Sequence, residues 1–428
     1  MHSLIVRAAV GPLCDRFGPR LVYIGILLTG MIPTAMAGLV ESAAGVLTIR
    51  FFVGILGASF VPCQVWSMQF FDKNVIGTAN GLMAGIGNAG GGITYFVMPA
   101  IFDSLVHNQG LTPHRAWRVS FIVPAILITA IALGMLFLCE DTPTGKWSDR
   151  RKMVPGTSGE ASPVNINGVV VELPNDGKLG LGVPTSQDFK SNLDEKHDSS
   201  SSIEAPEPGQ VEIARAEIVK APNFKECMRV LFSLQCLLLS LMYACSFGGE
   251  LSINSILGAY YIKNFHLDQT HSGKWAAMFG LLNVFCRPAG GIISDLIYKA
   301  TNRSVSAKKF WLLFVIFCQG AFCLAIGLLN SHTQAVMFGL VAGLAFFMDA
   351  SNGANFAVVP HVFPHANGVL SGFVGASGNL GGVIFAIIFR FNGDHYWKPI
   401  WIIGVVSVVS SVILSWVRII PKGQIGGR

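Results

Sequence analysis

Ten stretches of mostly apolar residues, each close to twenty residues or longer, run through this chain at about 21–40, 46–69, 77–105, 117–139, 230–262, 272–294, 309–330, 333–356, 367–390 and 397–419. A helix rises about 1.5 Å per residue, so roughly twenty such residues cross the ~30 Å hydrocarbon core of a bilayer. In lipid every backbone polar group must be satisfied within the segment, which leaves helices as the reading for runs of this kind. An all-α, multi-spanning membrane protein is therefore expected. Composition agrees: 52% of the residues are hydrophobic and only 13% charged, where soluble domains carry about a quarter.

The chain is also internally doubled. Arg7, Gly11 and Asp15 return at the same spacing as Arg287, Gly291 and Asp295, and the run Gly85-Ile86-Gly87-Asn88-Ala89-Gly90-Gly91-Gly92 is echoed by Gly375-Ala376-Ser377-Gly378-Asn379-Leu380-Gly381-Gly382. Each half thus supplies one arginine and one asparagine. The segment 140–228 between the halves is rich in Ser, Pro, Gly and acidic residues and includes the run from Asp198 to Glu204. Such a composition buries too little apolar surface to offset its ordering entropy, so disorder is expected over most of it. Its serines make it a candidate kinase substrate.

The expected domains are 1–139, 140–228 and 229–428. Residues 1–10 form an apolar decapeptide that leads into what reads as a loop over Gly11–Arg20. Ten residues span half a membrane, so the decapeptide reads as the end of a second helix whose beginning, with one whole preceding helix, lies outside this sequence. Counting them gives two six-helix halves joined by a central loop, the major-facilitator arrangement.

Orientation follows from lysine and arginine in the short loops. Arg16, Arg20, Lys73, Lys299, Arg303, Lys308, Lys309, Lys422 and Arg428 fall on one side. That side, with the central loop and the C-terminus, is expected to be cytoplasmic. The cysteines are scattered through apolar segments without C-x-x-C and the histidines lie mostly outside the apolar runs, so no metal is expected. Gly85–Gly90 fits G-x-G-x-x-G but lies inside a span with no preceding strand, which rejects a dinucleotide site. No basic, aromatic face in water is present, so nucleic acid is not expected as a partner, and no nucleophile–base constellation points to an enzyme.

An arginine at the centre of a membrane helix costs at least ~2.5 kcal/mol. If Asp15 and Asp295 mark the ends of their helices, Arg7 and Arg287 lie about 12 Å deeper, near the midplane. Neither has an acid at i±3 or i±4. Two such arginines in two equivalent halves face each other across a central cavity and await an anion, and a guanidinium forks naturally onto a planar oxyanion. The alternative is that one of them pairs with Glu250 or Asp349. Asn88 and Asn379, within the glycine stripes containing Gly87 and Gly378, either donate to the anion or bond a neighbouring helix.

The loop sequence Gly11-Pro12-Leu13-Cys14-Asp15-Arg16-Phe17-Gly18-Pro19-Arg20 resembles the loop signature of the major facilitator superfamily. The two glycine-rich runs at 84–91 and 375–382 resemble the nitrate signatures of its nitrate/nitrite porter family, and the long central segment is similar to that of the fungal high-affinity nitrate transporters. Ile86 departs from the first signature, where tryptophan is common. The resemblance implies a plasma-membrane nitrate transporter, taking nitrite as well, driven by proton symport and needing no cofactor. It implies that Arg7 and Arg287 clamp the anion beside Asn88 and Asn379. By the same match Tyr243, Phe247 and Phe60 line the pocket. Glu250 and Asp349 are the candidate proton-carrying groups. The alternatives are a nitrate sensor that does not transport and a porter for another small anion.

Overall fold

A computed structural model describes residues 2–143, 145–147, 164–166, 169–171, 223–393 and 395–420. The chain divides into two compact units, residues 1–147 with 221–428, and residues 148–220. In the second unit Val164–Ile166 pairs antiparallel with Val169–Val171, and the intervening Asn167-Gly168 has the sequence of a two-residue hairpin turn. The rest of the stretch expected to be disordered lies outside the described residues, apart from its two ends.

The first unit is helical. Its elements are α1 (His2–Phe17), α2 (Pro19–Met36), α3 (Ala43–Val53), α4 (Phe60–Phe70), α5 (Ile76–His107), α6 (Pro113–Ser120), α7 (Ile122–Leu138), α8 (Phe224–Leu231), α9 (Leu234–Phe265), α10 (Gln269–Leu281), α11 (Asn283–Ala300), α12 (Val305–Leu329), α13 (Gln334–Val362), α14 (Asn367–Asn392) and α15 (Trp397–Leu414). Among the described residues ten helical stretches are long and apolar enough to cross a membrane, and they coincide with the ten apolar runs of the sequence. Three of them are interrupted: α3 runs through a 3-10 segment (Gly54–Ser59) into α4, α6 turns at Phe121 into α7, and α10 turns at Leu282 into α11.

The Gly11–Arg20 loop read from the sequence is instead mostly helix. The α1 helix continues through Pro12 to Phe17 and breaks only at Gly18, whose φ of +92° suits glycine and whose missing side chain leaves room for the Trp147 ring. Trp147 belongs to a short tail, Glu140–Trp147, that stays with the bundle rather than with the central segment. Asp141 of that tail pairs with Arg20 at 2.9 Å, and its carbonyl accepts from Trp66 Nε1 at 3.0 Å. The bundle resumes before residue 229, because Asn223 and Glu226 form a reciprocal capping box that starts α8 at Phe224.

The doubled sequence folds into a doubled crossing. Helix α1 lies against α14, and α11 lies against α5, with equivalent residues at equivalent rungs. The Asp15 carboxylate accepts from the backbone N–H of Gly368 at 3.0 Å and of Val369 at 3.1 Å, the first turn of α14. The Asp295 carboxylate accepts from Gly77 at 3.2 Å and Thr78 at 2.7 Å, the first turn of α5. Each aspartate therefore caps a helix of the opposite half, where the sequence reading had it mark the end of its own. The first N–H groups of a helix lack internal partners and carry partial positive charge, so a carboxylate there satisfies both needs. At the next rung a Cβ on Gly11 would strike the Gly368 carbonyl, and one on Gly291 would strike that of Gly77. These glycines permit the close backbone approach that the small-residue pattern predicts.

Two lysines counted from the sequence as loop charges are buried in the first turn of α12. Lys308 pairs with Asp295 at 2.9 Å, and Lys309 donates to the carbonyls of Ser415 at 2.7 Å and Val417 at 3.1 Å. Large apolar side chains of the first half, among them Leu47, Ile126 and Phe137, are exposed. In a bilayer the lipid chains solvate such faces.

Candidate functional site

Three helices of the second half each present a polar or aromatic face at helical spacing: Tyr243, Phe247 and Glu250 on α9; Asn283 and Arg287 on α11; and Asp349, Asn352 and Phe356 on α13. All eight are buried. Residues three, four and seven apart share one side of a helix, so these faces converge without any unusual backbone. From the first half, α1 brings Arg7, and the start of α4 brings Phe60.

The two guanidiniums meet over the same pair of rings. Arg7 Cζ lies 5.2 Å from the centroid of Phe60 and 5.4 Å from that of Phe247; for Arg287 Cζ the distances are 5.6 and 5.9 Å. Tyr243 stacks on Phe247 at 5.1 Å with the ring planes 3° apart, and Phe356 meets both Phe60 and Tyr243 edge-on at 4.9 and 5.1 Å. Ring faces within about 6 Å of a cation attract it, more strongly once water is excluded. The aromatic box thus offsets part of the cost of holding two cations close together.

Their hydrogen bonding differs. Arg7 donates from Nε to the Gly57 carbonyl at 2.7 Å and from Nη1 to the Gly375 carbonyl at 3.1 Å. Gly57 lies in the 3-10 segment between α3 and α4, where the departure from α-helical pairing leaves a carbonyl available. With its amide turned so that oxygen faces the guanidinium, Asn379 accepts from Arg7 Nε at 3.2 Å and Nη1 at 3.3 Å. Arg287 donates from Nη2 to the Tyr243 hydroxyl at 3.1 Å, while its Nε and Nη1 are buried without a partner among the described residues.

Among the described residues neither arginine forms an ion pair with Glu250 or Asp349, the pairing that the sequence left open. Glu250 is held instead by two amides, Asn283 Nδ2 at 2.9 Å and Asn352 Nδ2 at 2.7 Å.

The structure thus brings together Arg7, Arg287, Tyr243, Phe247, Phe60 and Asn379, with Glu250 and Asp349 beside them. Gly378 lies under the rings, since a Cβ there would come within 2.6 Å of Tyr243 Cδ1 and 3.0 Å of Phe247 Cδ1. Asn88 is half-buried and forms no hydrogen bond to either arginine, and a Cβ on Gly87 would meet nothing within 4 Å. On α5 the close glycine contacts with α11 fall at Gly77, Gly81 and Gly85. Sequence reasoning missed Phe356, Asn283 and Asn352. The signal was present in the i, i+3, i+7 spacing of Asp349, Asn352 and Phe356 and in the i, i+4 spacing of Asn283 and Arg287.

Two helical halves built on one repeated crossing, with a buried pair of arginines where they meet, define a polytopic transporter of the two-half kind. The chain belongs to the Major Facilitator Superfamily, whose sequence profile matches residues 3–297 and 239–427. Elsinochrome transporter 1 of Elsinoe fawcettii is 36% identical over 96% of this chain and 81% of its own length. High affinity nitrate transporter 2.5 of Arabidopsis thaliana is 30% identical over 96% of this chain and 68% of its own. The crystal structure of the E. coli fucose:proton symporter superposes with a TM-score of 0.59 at 12% identity, covering 96% of this chain and 88% of that one, a likeness of fold.

Proposed function

We propose that this chain is a secondary transporter that imports nitrate, and nitrite with it, across the plasma membrane by proton symport, the anion held between Arg7 and Arg287. The observation that carries the reading is Arg287: a guanidinium 1% exposed, with two of its nitrogens lacking any partner, sharing the rings of Phe60 and Phe247 with a second guanidinium. Unsatisfied buried donors are costly, and a small planar oxyanion placed between the arginines supplies the missing acceptors. Flat ring faces suit a flat, weakly hydrated anion. The nitrate-transporting relative and the glycine–asparagine signatures support nitrate as that anion. In the orientation expected from the basic loops, the central segment faces the cytoplasm, and its serines are candidate substrates for a kinase there.

The test is accumulation of nitrate by the purified chain in proteoliposomes under an inwardly directed proton gradient, inhibited by nitrite and not by acetate or chloride. Nitrate binding without flux would favour a sensor. The relative named as an elsinochrome transporter motivates one other substrate. Transport of elsinochrome, with no nitrate binding, would overturn the nitrate reading.

A further inference from the structure

About one helical turn from Arg287 lies a buried cluster with more acceptors than donors. Glu250 takes up both of its neighbouring amides, one through each carboxylate oxygen. The amides must turn their nitrogens toward it, because the reverse would set amide oxygen against carboxylate oxygen. Among the described residues Asn283 Oδ1, Asn352 Oδ1 and both oxygens of Asp349 are left buried with no hydrogen bond of ordinary geometry, and Asp349, Asn283 and Asn352 are each 0% exposed. Asp349 lies close enough to Glu250, Asn283 and Arg287 to feel their charges and dipoles.

A buried carboxylate beside a second carboxylate, with the Asn283 amide as its nearest polar neighbour and no hydrogen bond of ordinary geometry to either oxygen among the described residues, calls for a cation. A proton answers this without an ion-sized space: bound to one Asp349 oxygen it becomes an O–H donor, next to an Asn283 amide whose oxygen is unpaired. Glu250 needs no proton, since its two N–H donors stabilise the charged form.

We propose that Asp349 is the proton-carrying residue of the transport cycle, with Glu250 held ionised by Asn283 and Asn352 and with Arg287 as the group through which proton and anion sense each other. This rests on the symport reading above. With Asp349 ionised, Arg287 faces two carboxylates, and the charges of Arg7, Arg287, Glu250 and Asp349 cancel, so an entering anion meets no net attraction. A proton from water on the entry side, bound as Asp349 O–H, leaves one net positive charge for the anion to neutralise. After the site opens to the other side the proton returns to water and Asp349 becomes a carboxylate again, which expels the anion. Linkage is reciprocal, so nitrate binding must in turn draw a proton onto the protein.

Adding nitrate to weakly buffered wild-type protein is expected to take up a proton, close to one per nitrate bound. Asp349→Asn is expected to bind nitrate without that uptake. In proteoliposomes it is expected to exchange nitrate for nitrate while losing accumulation under a proton gradient, and Asp349→Glu is expected to regain it. Proton uptake or gradient-driven accumulation that persists in Asp349→Asn would overturn the assignment. So would wild-type protein that binds nitrate with no proton uptake, or that accumulates it under a sodium gradient alone. The wild-type measurement decides even where a variant fails to fold, and wild-type protein that binds no nitrate at all sinks the nitrate reading itself.

Discussion

The crossing of α1 with α14 and the crossing of α11 with α5 repeat one another rung by rung, yet they are chemically unequal at both functional levels. At the lower rung Asp15 caps α14 with no ion pair among the described residues, whereas Asp295 caps α5 and also binds Lys308, which in turn touches His361 Nε2 at 3.1 Å. At the upper rung Arg7 is tied to two backbone carbonyls and to Asn379, whereas Arg287 has one partner and sits beside two carboxylates. Duplication supplied the scaffold, and divergence assigned the roles. Arg7 has its donors taken up by the wall, whereas Arg287 keeps two nitrogens without a partner among the described residues.

This inequality is open to direct challenge. Asp295→Ala strands the buried Lys308 and removes two cap bonds, and breaking a buried pair costs about 3–5 kcal/mol. Asp15→Ala loses the cap alone, worth about 0.5–2 kcal/mol. Thermal unfolding of the two variants in detergent should therefore rank Asp295→Ala as clearly the less stable, and equal losses would remove the distinction at the lower rung. Tyr243→Phe deletes the single hydroxyl that Arg287 touches. Its nitrate affinity should fall several-fold, in line with the ~1 kcal/mol of one hydrogen bond. Asn88→Ala, at a half-buried position with no bond to either arginine, should change nitrate affinity by less than about 0.5 kcal/mol. A large loss there would mean that Asn88 reaches the anion in another state of the transporter.

Much of this was legible in the sequence because membrane helices obey few rules. Length and apolarity located the ten spans, and the repeat of Arg7, Gly11 and Asp15 as Arg287, Gly291 and Asp295 identified the two arginines as equivalents. What the sequence did not yield were contacts between distant segments. That Asp15 caps α14 and Asp295 caps α5 depends on which helix ends meet across the halves, and no periodicity within α1 or α11 encodes it. The Gly11–Arg20 stretch read as a loop because Gly11, Pro12 and Gly18 are all breakers on average, whereas packing against α14 keeps the first two helical. The strand pair Val164–Ile166 and Val169–Val171 was overlooked because the composition of 140–228 outweighed a local signal, three valines after the sequence Asn167-Gly168. Lys308 and Lys309 misled in another way: a lysine at a helix start counts as a loop charge until its burial is known.

The inequality of the two arginines is tested most directly by calorimetric titration of nitrate into wild-type, Arg7→Lys and Arg287→Lys protein. Lysine keeps the charge but loses the planar fork. Truncating a desolvated, hydrogen-bonded charge costs about 2–5 kcal/mol of binding, so Arg287→Lys should bind nitrate at least ~100-fold more weakly. Arg7→Lys, which acts on a guanidinium held by backbone carbonyls, should lose distinctly less, about tenfold. Near-normal affinity in Arg287→Lys, or the reverse order of the two losses, would contradict the assignment of Arg287 as the open ligand of the anion.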